Sequence, residues 1–85
     1  MEIEDRIRKI LSSELFVETP PDEIGLDDSL RAVHGLDSLG FVELRVQCED
    51  LFDVRISDEE FSPENFQSLR TVTALVQRLQ SGRTT

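Results

Sequence analysis

Apolar residues recur at Ile3, Ile7, Ile10 and Leu11, the i, i+4, i+7, i+8 spacing of a helix with one face against a core, and Leu15 prolongs the stripe. Glu2, Glu4 and Asp5 suit the positive end of a helix dipole, so a first helix is expected over residues 2–15. Thr19-Pro20-Pro21 cannot continue it, and a long connection follows to Gly35, with Ile24, Leu26, Leu30 and Val33 as apolar anchors. The pattern predicts a second helix from Ser38 to Phe52. Phe41, Leu44, Cys48, Leu51 and Phe52 make its stripe, and Leu39, Val42 and Val46 widen that stripe as the central helix of a bundle requires. Val54-Arg55-Ile56 alternates over too few residues to read as a strand. Ser57 and Glu60 can form a capping box, and Ser62-Pro63 sets a proline where a short helix can begin, which predicts a brief third helix over residues 59–67 anchored by Phe61 and Phe66. Val72, Leu75, Val76 and Leu79 define a fourth helix, with Arg78 near its C-terminus, Gly82 at its end and a frayed tail over 81–85. The expected fold is all-α: a four-helix bundle of three longer helices and a short third one, with a long loop after the first. One domain spans 1–85, its core lying at about 2–80, without repeats or low-complexity segments.

At 85 residues the chain has little room for a deep catalytic pocket. Cys48 is the single cysteine, so a disulfide framework or cysteine zinc site within one chain is excluded, and its place on the apolar face marks a buried small hydrophobe. A signal-like apolar region and a run of 18 apolar residues are both lacking, which predicts a cytoplasmic protein with no membrane partner. The 18 acidic and 9 basic residues give a net charge of −9, which argues against nucleic acid and anionic lipid. Within 43–64 the acids Glu43, Glu49, Asp50, Asp53, Asp58, Glu59, Glu60 and Glu64 face only Arg45 and Arg55, and no acid follows Glu64. Such a localised field suits docking to basic protein surfaces; the alternative is a solvated face.

The start of the second helix carries the chemistry. Asp37 can act as N-cap, Gly35 lets the chain turn in sharply, and Leu36 with Phe41 stands at the N′ and N4 positions of a hydrophobic staple. Ser38 is then the first helical residue, its hydroxyl among unpaired backbone N–H groups at the positive end of the dipole, where a phosphate ester fits. By itself the pair is more often an ordinary cap. Gly35 to Gly40 lacks the G-x-S-x-G spacing of a nucleophile elbow, and His34, the only histidine, is expected to be an exposed loop residue rather than a general base. The acids of 58–64 lack the spacing and glycine of a calcium loop, and no metal site is expected.

Three longer helices, a long first loop, a short third helix and an acidic second helix headed by Gly35-Leu36-Asp37-Ser38-Leu39, followed by Phe41-Val42-Glu43-Leu44, together resemble the acyl carrier protein family over nearly the whole chain. The resemblance implies that Ser38 receives 4′-phosphopantetheine from coenzyme A through a magnesium-dependent phosphopantetheinyl transferase, and that acyl groups ride as thioesters on the terminal thiol. It also implies a non-catalytic, monomeric carrier whose partners are that transferase, an acyltransferase or ligase, and a ketosynthase or other acyl-processing enzymes. Asp37 matches the residue that assists modification, and Leu39 a contact used by partner enzymes. Glu43, Glu49 and Asp50 match docking positions, to which Asp53 just after the helix is added. Gly40 and Arg45 stand where carriers of primary fatty acid synthesis have an acidic and an apolar residue, which points away from that pathway. The segment Asp58 to Phe66 is similar to the third-helix region of discrete type II carriers from bacterial specialised metabolism, implying polyketide or related antibiotic biosynthesis. An aminoacyl or peptidyl carrier shares the architecture, although such carriers more often have paired glycines before the serine; an unmodified structural interaction domain is the remaining alternative.

Overall fold

The computed structural model describes residues 2–83 as three α-helices and one 3-10 turn, with no strand among them. Helix α1 spans Ile3–Ser13, α2 Ser38–Phe52 and α3 Leu69–Arg83, and the 3-10 turn is Pro21–Glu23. The three helices pack against one another around one core. Ile7 and Leu11 of α1, Leu44 and Cys48 of α2, and Val72, Leu75 and Val76 of α3 are fully buried there. At about 25 cal/mol per Å² of apolar area removed from water, burial of such side chains is the dominant favourable term.

The first helix is shorter than expected. Its stripe ends at Ser13, and Phe16 then takes a left-handed conformation (φ 57°) that turns the chain so that the Val17 amide reaches the Leu11 carbonyl at 2.9 Å. Leu15 still packs on the core, as the extended stripe anticipated, but from outside the helix. The last helix, conversely, runs through Gly82, which keeps a right-handed backbone and so does not end it; residues 84 and 85 of the expected tail lie outside the described residues.

The expected helix over 59–67 is replaced by two separate turns. The capping box forms as read: the Glu60 amide donates to Ser57 Oγ at 3.1 Å and the Ser57 amide to Glu60 Oε1 at 3.0 Å. One helical bond follows, from the Phe61 amide to the Ser57 carbonyl at 2.9 Å. Pro63 has no N–H with which to continue, and the Asn65 side chain donates to the Glu60 carbonyl at 2.9 Å. Ser62 then caps a second turn, accepting from the Asn65 amide at 3.2 Å while its carbonyl receives the Phe66 amide at 3.0 Å. Phe61 and Phe66 meet edge to face with centroids 5.0 Å apart, so the anchors were right although the helix was not.

The long connection is held down at both ends of its span. Ile24 and Leu30 are buried, and Leu26 packs against the core. The Leu30 amide donates to the Gln67 carbonyl and the Arg70 amide to the Leu26 carbonyl, both at 2.9 Å, while the Arg70 guanidinium grips Asp27 through two contacts of 2.7 and 3.1 Å. Val33 is not the anchor expected of it: its side chain is exposed.

Candidate functional site

The head of α2 is built by two consecutive caps. Residues 29–34 make one helical turn, in which Ser29 Oγ accepts from the Ala32 amide at 3.0 Å. Gly35, at φ +69°, ends that turn: its amide donates to the Arg31 carbonyl at 3.1 Å, and the Leu36 amide to the Leu30 carbonyl at 2.9 Å. This is the closing bond pattern of a helix C-terminus, for which glycine is favoured because a left-handed backbone penalises a Cβ. The chain then reverses, and Asp37, in extended conformation, caps α2 by accepting from the Gly40 amide at 2.8 Å through Oδ1.

Leu36 and Phe41 both pack on the core, as a hydrophobic staple predicts. Leu36 also explains Gly40. A Cβ on Gly40 would fall 2.9 Å from both Cγ and Cδ1 of Leu36 and 3.3 Å from Asp37 Oδ1, so an acidic side chain has no room there.

Ser38 is the first residue of α2 and exposed. Among serines at turn or helix starts, Ser29, Ser57, Ser62 and Ser68 each spend the hydroxyl on a cap, accepting from the amides of Ala32, Glu60, Asn65 and Thr71. Among the described residues, the Ser38 hydroxyl is engaged in no such bond. The amides of Ser38 and Leu39 belong to the first turn and have no acceptor within the helix. Beside Ser38 opens a cleft of about 460 Å³ between the head of α2 and the turns of 57–67, walled by Phe41, Val42, Phe61, Pro63 and Phe66 and edged by Ser29, Arg31, Ser62 and Gln67.

Arg45, which sequence reasoning treated only as a departure, ties this cleft together. Its guanidinium lies over the Phe61 ring at 5.0 Å and donates to the Ile56 carbonyl at 2.6 Å and to Asp58 Oδ1 at 3.0 Å. A cation on α2 thus fixes the far wall of the cleft, which an apolar side chain could do only through packing.

The expected α2 stripe is narrower than read. Leu44, Cys48 and Phe52 are buried, whereas Leu39, 80% exposed, joins Val42 and Val46 in an apolar stripe on the solvent side, and Leu51 is exposed too. Burial pushes the Cys48 thiol up to about 12, with the Glu49 charge adding to it, so it is no nucleophile at neutral pH. The expected docking acids divide. Glu43 accepts from Gln47 Nε2 at 3.1 Å and Asp50 is exposed, both on α2. Asp53 is the left-handed C-cap of α2 (φ 52°), and Glu49 is committed to the fold, its Oε2 accepting from the Ile56 amide at 2.7 Å.

His34 is not the exposed loop residue expected. Its side chain is 2% exposed, with Nδ1 3.2 Å from Thr19 Oγ1 and Nε2 3.2 Å from Asp28 Oδ2, and Asp28 also accepts from the Gly25 amide at 2.9 Å. The imidazole therefore clasps three separate parts of the long loop just upstream of Ser38. Its partners stand 15 and 6 residues away in the chain, a pairing that no local spacing signals.

A serine hydroxyl at a helix N-terminus beside an open cleft stands where an anionic group is favoured. A family model described as a phosphopantetheine attachment site matches residues 5–79. An acyl carrier protein of Akkermansia muciniphila is 36% identical over 78 residues, which cover 92% of each chain. The chain belongs to the acyl carrier protein family, and its prosthetic group is covalently attached 4′-phosphopantetheine. The donor set at the head of α2 fits a phosphodiester: two amides without helical acceptors, a positive dipole end and a nearby guanidinium.

Proposed function

We propose that Ser38 is the attachment residue and that the protein is a non-catalytic carrier presenting acyl groups to successive enzymes. The observation behind this reading is the uncommitted, exposed Ser38 hydroxyl at the first position of α2, where other cap serines are occupied. When bound, the prosthetic group supplies a terminal thiol on a flexible arm, to which acyl groups are joined as thioesters. The chain's own part is to position and release. Asp37 holds the first turn of α2 in register through Gly40 and directly precedes Ser38 in the chain, a position from which it can help orient the hydroxyl toward the transferase. The double cap at Gly35 and Asp37 makes the attachment point a rigid corner, so the arm's mobility begins at the serine and not in the loop behind it.

We further infer that its partners are the phosphopantetheinyl transferase, a loading acyltransferase or ligase, and a ketosynthase or related enzyme of polyketide-type specialised metabolism, met by a monomeric carrier. Supporting this, α2 has no acid in its first turn and leads instead with Leu39 and Val42 exposed, so the first contact offered to a partner is apolar, with Glu43 and Asp50 further along.

Incubation with coenzyme A and a broad-specificity transferase, followed by intact-mass analysis, tests the attachment residue. Wild type is expected to gain one phosphopantetheine and Ser38→Ala none, with unchanged helical content. A modified Ser38→Ala protein, or an unmodified wild type, overturns the reading. Loading of the modified protein by polyketide, fatty acid and aminoacyl enzymes then tests the pathway, with preferred transfer expected from the first.

A further inference from the structure

Arg31 stands out once every other cation near the site has been accounted for. Arg45 is bound to Ile56 and Asp58 and stacked on Phe61; Arg70 is paired with Asp27 on the connection. Arg31 is exposed, sits in the helical turn immediately before Gly35, and lines the same cleft as Ser38. No carboxylate of the described residues lies within 4.0 Å of its guanidinium. In a chain of net charge −9, a cation left without an acid at this position is not explained by internal pairing.

A phosphodiester on Ser38 would add a negative charge directly beside Asp37, whose carboxylate stays on its own cap with Gly40. The α2 dipole offsets part of that repulsion, and the Ser38 and Leu39 amides offer hydrogen bonds, but both are fixed features of the helix end. Among the described residues, those lining the cleft include no acid, and Arg31 is their one cation. Guanidinium is suited to this work because its planar fork matches two phosphate oxygens at once.

We propose that Arg31 pairs with the phosphodiester carried by Ser38 and thereby lays the root of the arm along the cleft, toward Phe41 and Phe61, instead of leaving it free in solvent. The inference rests on Ser38 as the attachment residue. It assigns Arg31 a positioning role: the arm is tethered at two points, one covalent and one ionic, and the second is released when a partner with its own basic residues takes over the phosphate. Before a partner docks, the cargo end is therefore biased to one side of α2.

The test compares wild type, Arg31→Ala, Arg31→Lys and Arg31→Gln with Arg55→Ala, which removes an equal charge just beyond the opposite end of α2. Each protein is converted to the modified form, its conversion verified by intact mass and its fold by thermal melting, and the ³¹P resonance of the phosphodiester is recorded at low and high salt. In wild type the resonance is expected to be shifted and broadened relative to a short phosphopantetheinylated peptide, and to move toward the peptide value as salt rises. Arg31→Ala and Arg31→Gln are expected to show the peptide-like position and a narrower line at all salt concentrations, Arg31→Lys an intermediate shift, and Arg55→Ala the wild-type spectrum. Identical ³¹P position and width in wild type and Arg31→Ala, both fully modified, overturn the proposal, as does an equal change in Arg55→Ala. Failure of wild type to gain the mass defeats the attachment reading instead, and is seen in the mass spectrum before any resonance is recorded.

Discussion

Gly40 shows how one position can reverse a general preference. In the interior of an exposed helix, glycine is about 1 kcal/mol worse than alanine, so Gly40→Ala would ordinarily stabilise α2. Here the new Cβ meets Leu36 Cγ and Cδ1 at 2.9 Å, and Leu36 is itself buried, so its branch point cannot simply swing away. Overpacking of a filled site typically costs about 1 to 3 kcal/mol, which exceeds the propensity gain. Gly40→Ala is expected to lower stability by chemical denaturation, and the paired variant Gly40→Ala/Leu36→Ala to lose less than the sum of the two single changes. A Gly40→Ala protein more stable than wild type would show that Leu36 yields at no cost. The same geometry explains why the absence of an acid at this position is a packing requirement of this chain before it is a mark of any pathway. The sequence alone allowed the second reading and hid the first, because Leu36 and Gly40 meet only after Asp37 has set the helix start.

Among the elements, those with short-range instructions were legible and those assembled from distant partners were not. Helix α2 begins and ends where its residues say, because Asp37 caps it from within three residues and its last turn closes on a left-handed Asp53. The 57–67 segment held a correct capping box and a correctly placed proline, yet these instruct one turn each; Pro63, with no amide to donate, keeps the first turn from running on into the second. The inward and outward faces of α2 could not be separated by periodicity, since Leu39, Val42 and Val46 are as apolar as the residues that are buried. Within the 57–67 turns, the Ser57 amide and hydroxyl bonds, aided by the charge of Arg78, hold the Glu60 carboxyl below its ordinary value of 4.5. A depressed carboxyl contributes stability that is present above 4.5 and is lost as pH falls through the lower folded value. The residue is only partly buried, so the contribution is small. Titration of the Glu60 side-chain carbon by NMR is expected to give a midpoint below 4.5, and Ser57→Ala, which removes the hydroxyl but keeps the backbone amide, to raise it only part of the way; a wild-type midpoint at or above the ordinary value would mean that the capping box is not closed in solution.

At the scale of the whole molecule, the acids of α2 separate by what their carboxylates touch into those free to face a partner and one that holds the fold. Glu43 and Asp50 stand on α2 beside the exposed stripe of Leu39, Val42 and Val46, and among the described residues no buried group bonds to them. Glu49 is different: its carboxylate receives the amide of Ile56, a residue buried to 1% exposure, and closes the return from α2. Leaving a buried amide without an acceptor costs about 1 to 3 kcal/mol, whereas surface changes elsewhere stay within about 0.5 kcal/mol. Reversing Glu43 and Asp50 to lysine is therefore expected to leave the melting temperature nearly unchanged while slowing transfer from a cognate enzyme, mostly through a lower on-rate that converges with wild type as salt rises. Glu49→Lys should lower the melting temperature as well, so a slow transfer in that variant reports on folding and docking together. Glu49→Gln separates them, because the amide oxygen still accepts from Ile56 while the charge is gone. Transfer kinetics that ignore the Glu43 and Asp50 reversals, measured at low salt with the fold intact, would assign docking to the Leu39, Val42 and Val46 stripe, with the acids around it serving only to keep an exposed apolar face in solution.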